Sequence, residues 1–181
     1  ASYLKTPDNQ SQYPIQSYLE IGVRHGGTFL ITLHYLKHFN TIRKAFAIDI
    51  VKNDVLQRYC EQTDNLRFLQ MDSNSKSFQN FIEKKKLIDL VLIDGNHEEL
   101  YCRKDFETVK NHAKLNAFHD IVSDACPGVV KVWQEVKKRY ANEFEFYEFV
   151  EQYESVRVRT SQSFLGIGLA VRKDFIQANQ L

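Results

Sequence analysis

Long apolar runs are missing from this chain: across 181 residues no stretch approaches the roughly 20 that a membrane-spanning helix needs. No basic segment followed by an apolar one opens it either, so neither a membrane partner nor a secretory leader is expected, and the cytoplasm is the expected compartment. Charge of one sign is not in excess. Lys and Arg number 24 against 23 Asp and Glu, and a formal net charge of +1 gives no long-range attraction to nucleic acid. The run Lys84-Lys85-Lys86 reads as a helix end, where cations suit the dipole. Cysteine is scarce as well: Cys60, Cys102 and Cys126 are odd in number and widely spaced, which argues against a disulfide framework and against a zinc site. Glycine is the scarcity that informs most, because three of only seven fall in one short run.

That run is Leu19-Glu20-Ile21-Gly22-Val23-Arg24-His25-Gly26-Gly27-Thr28. An apolar strand with an acid near its end, a glycine turn and a helix start is a way to hold a nucleotide-like ligand against exposed backbone. Gly22 permits a sharp turn, and Gly26 and Gly27 permit close approach at the helix start, since glycine tolerates positive φ and has no Cβ. The spacing Gly-x-x-x-Gly departs from the Gly-x-Gly-x-x-Gly of dinucleotide binders and favours S-adenosylmethionine over NAD. A purely steric strand-to-helix turn is the plainer alternative.

Further along the chain the pattern repeats. Ala45 to Asp49, Leu66 to Asp72 and Leu87 to Gly95 are apolar runs that also close on acids. Helical periodicity separates them, over Thr28 to Phe39, Asn53 to Gln62, Ser75 to Lys85 and Glu98 to Ala113. Strands alternating with helices predict a parallel, doubly wound α/β sheet, whose ligands bind beyond the carboxyl ends of the strands, where these acids would line one crevice. A fifth strand is predicted over Asn116 to His119, then a helix over Gly128 to Tyr140 with Val129, Val132, Trp133 and Val136 inward. Glu143 to Val150 alternates as an edge strand should, and Ser163 to Val171 is predicted as an antiparallel last strand. With 43% apolar and 26% charged residues, one domain over 1–181 is expected, residues 1–16 being a polar arm or helix fragment with Pro7 and Pro14.

Two segments, Leu92-Ile93-Asp94-Gly95-Asn96-His97 and Ala117-Phe118-His119-Asp120, precede Pro127-Gly128-Val129 and the helix carrying Trp133. With these motifs in this order, the chain resembles the class I S-adenosylmethionine-dependent methyltransferases, and within them the group that includes sugar and antibiotic O-methyltransferases and cephalosporin-hydroxylase-like proteins. The resemblance runs from Tyr18 to Lys173 and implies a Rossmann-like, mostly parallel seven-stranded sheet. One departure is local: the family's Pro-Gly-Gly turn before strand five is replaced by Lys114-Leu115-Asn116, where Asn116 is expected to take the left-handed conformation.

The resemblance also implies roles. Glu20, Gly22, Gly26 and Thr28 would hold the methionine end of S-adenosylmethionine, Asp49 the ribose hydroxyls, and Asp72 and Ser73 the adenine side, with Asp94 a further cofactor contact. Plainer alternatives are a solvent-facing Glu20 and helix capping by Ser73 or Ser75. Asp94, His97, His119 and Asp120 form a second group. Asp94, Asp120 and His119 would hold Mg2+ as in the metal-dependent relatives, although many of those carry an acidic pair where this chain has His119-Asp120. His119 or His97 acting directly as general base is the metal-free alternative. The expected activity is methyl transfer to a hydroxyl of a small molecule or sugar. Its rivals are a non-catalytic S-adenosylmethionine-binding module, a nicotinamide-dependent oxidoreductase and a cephalosporin-hydroxylase-like oxygenase. The acceptor itself would be shaped by the loops Ile121 to Cys126 and Thr160 to Ser163.

Overall fold

The computed structural model describes residues 14–85, 87–151, 158–159 and 163–178; the expected arm lies outside them except for residues 14–16, as does the loop Thr160 to Ser163 except for Ser163. Strands and helices alternate as β1 (Ser17–Ile21), α1 (Gly27–Lys37), β2 (Lys44–Asp49), α2 (Asp54–Glu61), β3 (Leu66–Gln70), α3 (Lys76–Glu83), β4 (Ile88–Ile93), α4 (Glu99–Val109), β5 (Ala113–His119) and α5 (Pro127–Arg139). They are followed by β6 (Phe144–Phe149), β7 (Ile167–Arg172) and the short α6 (Lys173–Ala178). The sheet order is β3-β2-β1-β4-β5-β7-β6. The first five strands are parallel, and β7 runs antiparallel between β5 and β6.

Near-continuous apolar runs form the parallel strands because both faces are covered. On one face Phe78 and Ile82 of α3, Phe106 and Val109 of α4, and Val132 and Trp133 of α5 meet Leu19, Ile21, Val91 and Ile93. On the other, Phe29 and Leu33 of α1 and Leu56 of α2 meet Tyr18, Ala45, Ala47 and Leu92. Local chemistry fixes where helices begin. The Asn53 side chain accepts from the Leu56 amide to start α2, and Ser75 accepts from the Phe78 amide to start α3. The four inward residues expected on α5 are all buried. A Cβ at Gly168 of β7 would overlap the Trp133 indole, so the small face of β7 is the seat of that ring.

Around β5 the structure departs from the sequence expectation. α4 ends at Val109, and the strand starts at Ala113, so the predicted helix runs four residues too far and the predicted strand begins three residues late. The turn is Lys110–His112, where the His112 amide donates to the Val109 carbonyl. Asn116, expected to be left-handed, is instead a buried strand residue paired with Val91 and Ala170. Lys114 looks like a turn residue in sequence, but its ammonium lies 2.6 Å from Asp89 Oδ1 on the neighbouring strand. A polar residue placed in the sheet by a partner on another strand has no local signature.

Candidate functional site

The carboxyl ends of β1 to β4 open into a crevice of about 860 Å3, within the size range of small-molecule sites. Gly22 turns the chain out of β1 at φ +87°, where a Cβ would overlap the Asp94 carbonyl, so the turn is pressed against the end of β4. Gly26 caps α1 at φ +83°, and its missing Cβ makes room for the Leu56 side chain. No side chain caps α1, and its first turn holds no acid, which leaves the amides beside Gly27 and Thr28 free for an anionic group.

Asp49, at the end of β2, accepts from the Arg24 amide at 2.6 Å and from the Val51 amide at 2.8 Å. These bonds fix the carboxylate at the crevice wall and leave each oxygen a further lone pair. Asn53 ties the same corner down, since its Nδ2 donates to the Arg24 carbonyl. At the end of β3, Asp72 is exposed and accepts from the Asn74 amide. Beneath it lies a group the sequence reading did not single out: fully buried Asp105 of α4 accepts from Asn74 Nδ2 at 3.2 Å. Burial pushes its pKa up to about 7, against a Ser73 hydrogen bond that lowers it. Its only sequence signal is an acid on the inward stripe of an amphipathic helix.

Of the expected cofactor residues, Gly22, Thr28, Asp49, Asp72, Ser73 and Asp94 line the crevice, whereas Gly26 and Glu20 do not. Glu20 is neither solvent-facing nor in the wall. It is fully buried within β1 and accepts from the Tyr18 hydroxyl, while burial pushes its pKa up to about 8.

The second group adjoins the crevice through Asp94 and His97, which line it. His97 Nε2 is 3.3 Å from Asp94 Oδ1 and 3.6 Å from Asp120 Oδ2. His119 Nδ1 is 3.1 Å from Asp120 Oδ2 and 3.5 Å from Asp94 Oδ1, yet it is not aligned for a hydrogen bond to either. Asp120 sits at φ +64°, which swings its carboxylate back over the strand ends. The hydrogen bond that His97 donates to Asp94 raises the His97 pKa, with Asp120 adding to it, and Asp120 raises that of His119. Burial alone would lift the Asp120 pKa, but His119 brings it below the ordinary carboxylate value. Cys126 Sγ, also not assigned a role in the sequence, lies 3.1 Å from His97 Nδ1.

The residues that build this crevice and much of the adjoining cluster fall within a stretch, 19–121, that matches a model of the methyltransferase domain and is more than half of the chain. The chain belongs to this methyltransferase domain family. No curated protein sequence matches it. Among solved structures the methyltransferase domain is similar to MycE, a methyltransferase of the mycinamycin biosynthetic pathway in complex with Mg and SAH, with 16% identity and a TM-score of 0.59 over 87% of this chain and 44% of that one. It is also similar to CalS11, a TDP-rhamnose 3'-O-methyltransferase of calicheamicin biosynthesis, with 14% identity and a TM-score of 0.58 over 87% of this chain and 71% of that one. Fibrillarin of Methanococcus jannaschii, a pre-rRNA processing protein, matches with 13% identity and a TM-score of 0.58 over 90% of this chain and 68% of that one. The domain therefore spans less than half the length of MycE. At such identities the likeness establishes the fold alone, a fold shared by a TDP-rhamnose methyltransferase and a pre-rRNA processing protein.

Proposed function

We propose that this methyltransferase domain binds S-adenosylmethionine in the crevice and directs methyl transfer to a hydroxyl of a small molecule or sugar. The observation that carries the reading is the juxtaposition itself: a cofactor-sized crevice joined, through Asp94 and His97, to a cluster of two carboxylates and two imidazoles. Gly22 and the first-turn amides at Thr28 would hold the amino-acid end, Asp49 the ribose, and Asp72 and Ser73 the adenine side. S-adenosylmethionine held there would supply an electrophilic sulfonium methyl for transfer to the acceptor oxygen, with S-adenosylhomocysteine as the leaving group.

The chain's part is to hold acceptor and methyl in line and to take the hydroxyl proton. His119 has Nδ1 beside the carboxylates of Asp120 and Asp94, whose charge favours a proton on the ring, and its Nε2 would accept the hydroxyl proton. Of the three side chains expected to hold Mg2+, Asp94 and Asp120 would supply the one or two carboxylates it usually takes beside its waters, whereas the His119 nitrogen suits it poorly. No step is assigned to the ion. A hydroxyl acceptor is further supported by the O-methyltransferase CalS11 among the similar structures. The reading is tested by incubating the protein with S-adenosylmethionine and a library of hydroxyl-bearing metabolites and monitoring product mass. A gain of one methyl on a hydroxyl compound is the expected result; S-adenosylhomocysteine binding without any methylated product would instead leave a binding module.

A further inference from the structure

The donors gathered at Asp120 are mixed in kind. One ligand atom each from His97, Asp120 and Cys126 lies within 4.8 Å of the other two. His97 turns Nδ1 to Cys126 Sγ at 3.1 Å and Nε2 to Asp94 Oδ1 at 3.3 Å. This meeting is built by packing. A Cβ on Gly128 would overlap the His97 carbonyl and the Glu99 amide, so only glycine lets the start of α5 lie against that turn. Cys126, at the N-cap of α5, is thereby carried to His97 from 29 residues away. Its side chain makes no capping bond to its own helix, and it is 7% exposed.

We infer that His97, Asp120 and Cys126 form a site for a borderline divalent cation, represented by Zn2+, in preference to Mg2+. Imidazole nitrogen, carboxylate oxygen and sulfur are the donors that Zn2+ takes in tetrahedral sites, whereas Mg2+ demands near-octahedral oxygen. With the ion on the Nδ1 side of His97, Asp94 holds the opposite ring nitrogen, the usual way a carboxylate orients a ligating imidazole. Three protein ligands leave a fourth tetrahedral position, and one of the three, His97, lines the crevice. For its purpose the inference rests on the methyl-transfer reading, since that position suits the acceptor hydroxyl; the site itself does not depend on it. Cysteine spacing argued against zinc because spacing reports ligands clustered in sequence, and these come from the ends of β4 and β5 and the start of α5.

The test uses the full chain freed of metal by chelation, titrated calorimetrically with ZnCl2 and with MgCl2, and with CoCl2 monitored by absorption. One Zn2+ per chain is expected, bound at least about tenfold more tightly than Mg2+, and the Co2+ adduct should show a near-ultraviolet thiolate-to-cobalt charge-transfer band. Cys126→Ser should abolish the band and weaken Zn2+ at least about tenfold, while Cys60→Ser, on the buried face of α2 in the other core cluster, keeps both. A wild-type Co2+ adduct without the band, or equal affinities for Zn2+ and Mg2+, overturns the inference even if the variant does not fold. Titrating S-adenosylhomocysteine into the same metal-free protein separates the two readings: its failure to bind beside an intact Zn2+ site would sink the cofactor reading alone.

Discussion

Asp89 lies near the start of β4 and Asp94 just past its end, and their surroundings differ in whether the protein satisfies its own polar groups. Asp89 Oδ2 accepts from the Gln16 amide, the Ser17 amide and the Ser17 hydroxyl, and Oδ1 meets the Lys114 ammonium. Burial would raise its pKa, but these partners bring it below the ordinary value. Around Asp94, by contrast, His119 Nδ1 and Glu20 Oε1 are buried without a hydrogen-bond partner among the described residues, and Asp120 is held at positive φ. Burial there keeps Glu20 protonated up to about pH 8. One end of the sheet spends its acids on folding; the other leaves polar capacity unmet, as a surface awaiting a ligand does.

The ligand-facing end is disturbed most severely by Gly22→Val. A side chain there meets the Asp94 backbone at a positive φ, so a loss of about 3 kcal/mol or more and no detectable S-adenosylhomocysteine binding are expected by thermal unfolding and calorimetry. A variant that folds and binds normally would place the cofactor elsewhere. Next in size, His119→Ala should cut methyl transfer by about 10²- to 10⁴-fold while leaving cofactor affinity and the unfolding midpoint near wild type. Equal losses in stability and turnover would make His119 a folding residue like Asp89. Asp49→Ala should weaken S-adenosylhomocysteine by about tenfold to a hundredfold, for the loss of charge-assisted bonds to the ribose; unchanged calorimetric affinity removes it from that role.

The acids themselves give the finer contrast, because their pH dependences have opposite signs. The folded-state pKa of Asp89 is depressed, so its contribution is present above the unfolded value of about 3.9 and fades as pH falls through the folded one. Asp89→Asn should therefore cost about 1 to 3 kcal/mol in urea unfolding at pH 7 and progressively less in acid, with turnover per folded molecule unchanged. Glu20 is raised, so its contribution is complete below its unfolded pKa and lost as pH rises toward about 8. The smallest effect is therefore at this residue: Glu20→Gln should raise the midpoint at pH 8 by about 2 °C or more and leave it unaltered near pH 4. A midpoint that falls at pH 8 would mean that the ionised carboxylate is the form the fold prefers.

Much of this could be read from the chain alone, for a reason visible in particular residues. Strands buried on both faces are written as unbroken apolar runs, so β1, β2 and β4 and the acids after β2 and β4 were legible with the glycine turn. Capping by Asn53 and Ser75 is equally local. The start of β5 was not legible, because Lys114 and Asn116 belong to the strand only through Asp89 and the neighbouring strands. Nor was the depth of Glu20, which depends on Tyr18 covering it, or the meeting of Cys126 with His97, which depends on Gly128.

Placing β7 between β5 and β6 has a consequence for how the protein is made. The strand that flanks His119 is the last of the seven to leave the ribosome, and it must slip between two strands already synthesised. Until it does, β5 has an open edge and Trp133 lacks the glycine face on which it lies. The nascent chain thus holds every strand of the crevice before the edge beside His119 is sealed, and that open edge is where a stalled or clipped chain would stick to another.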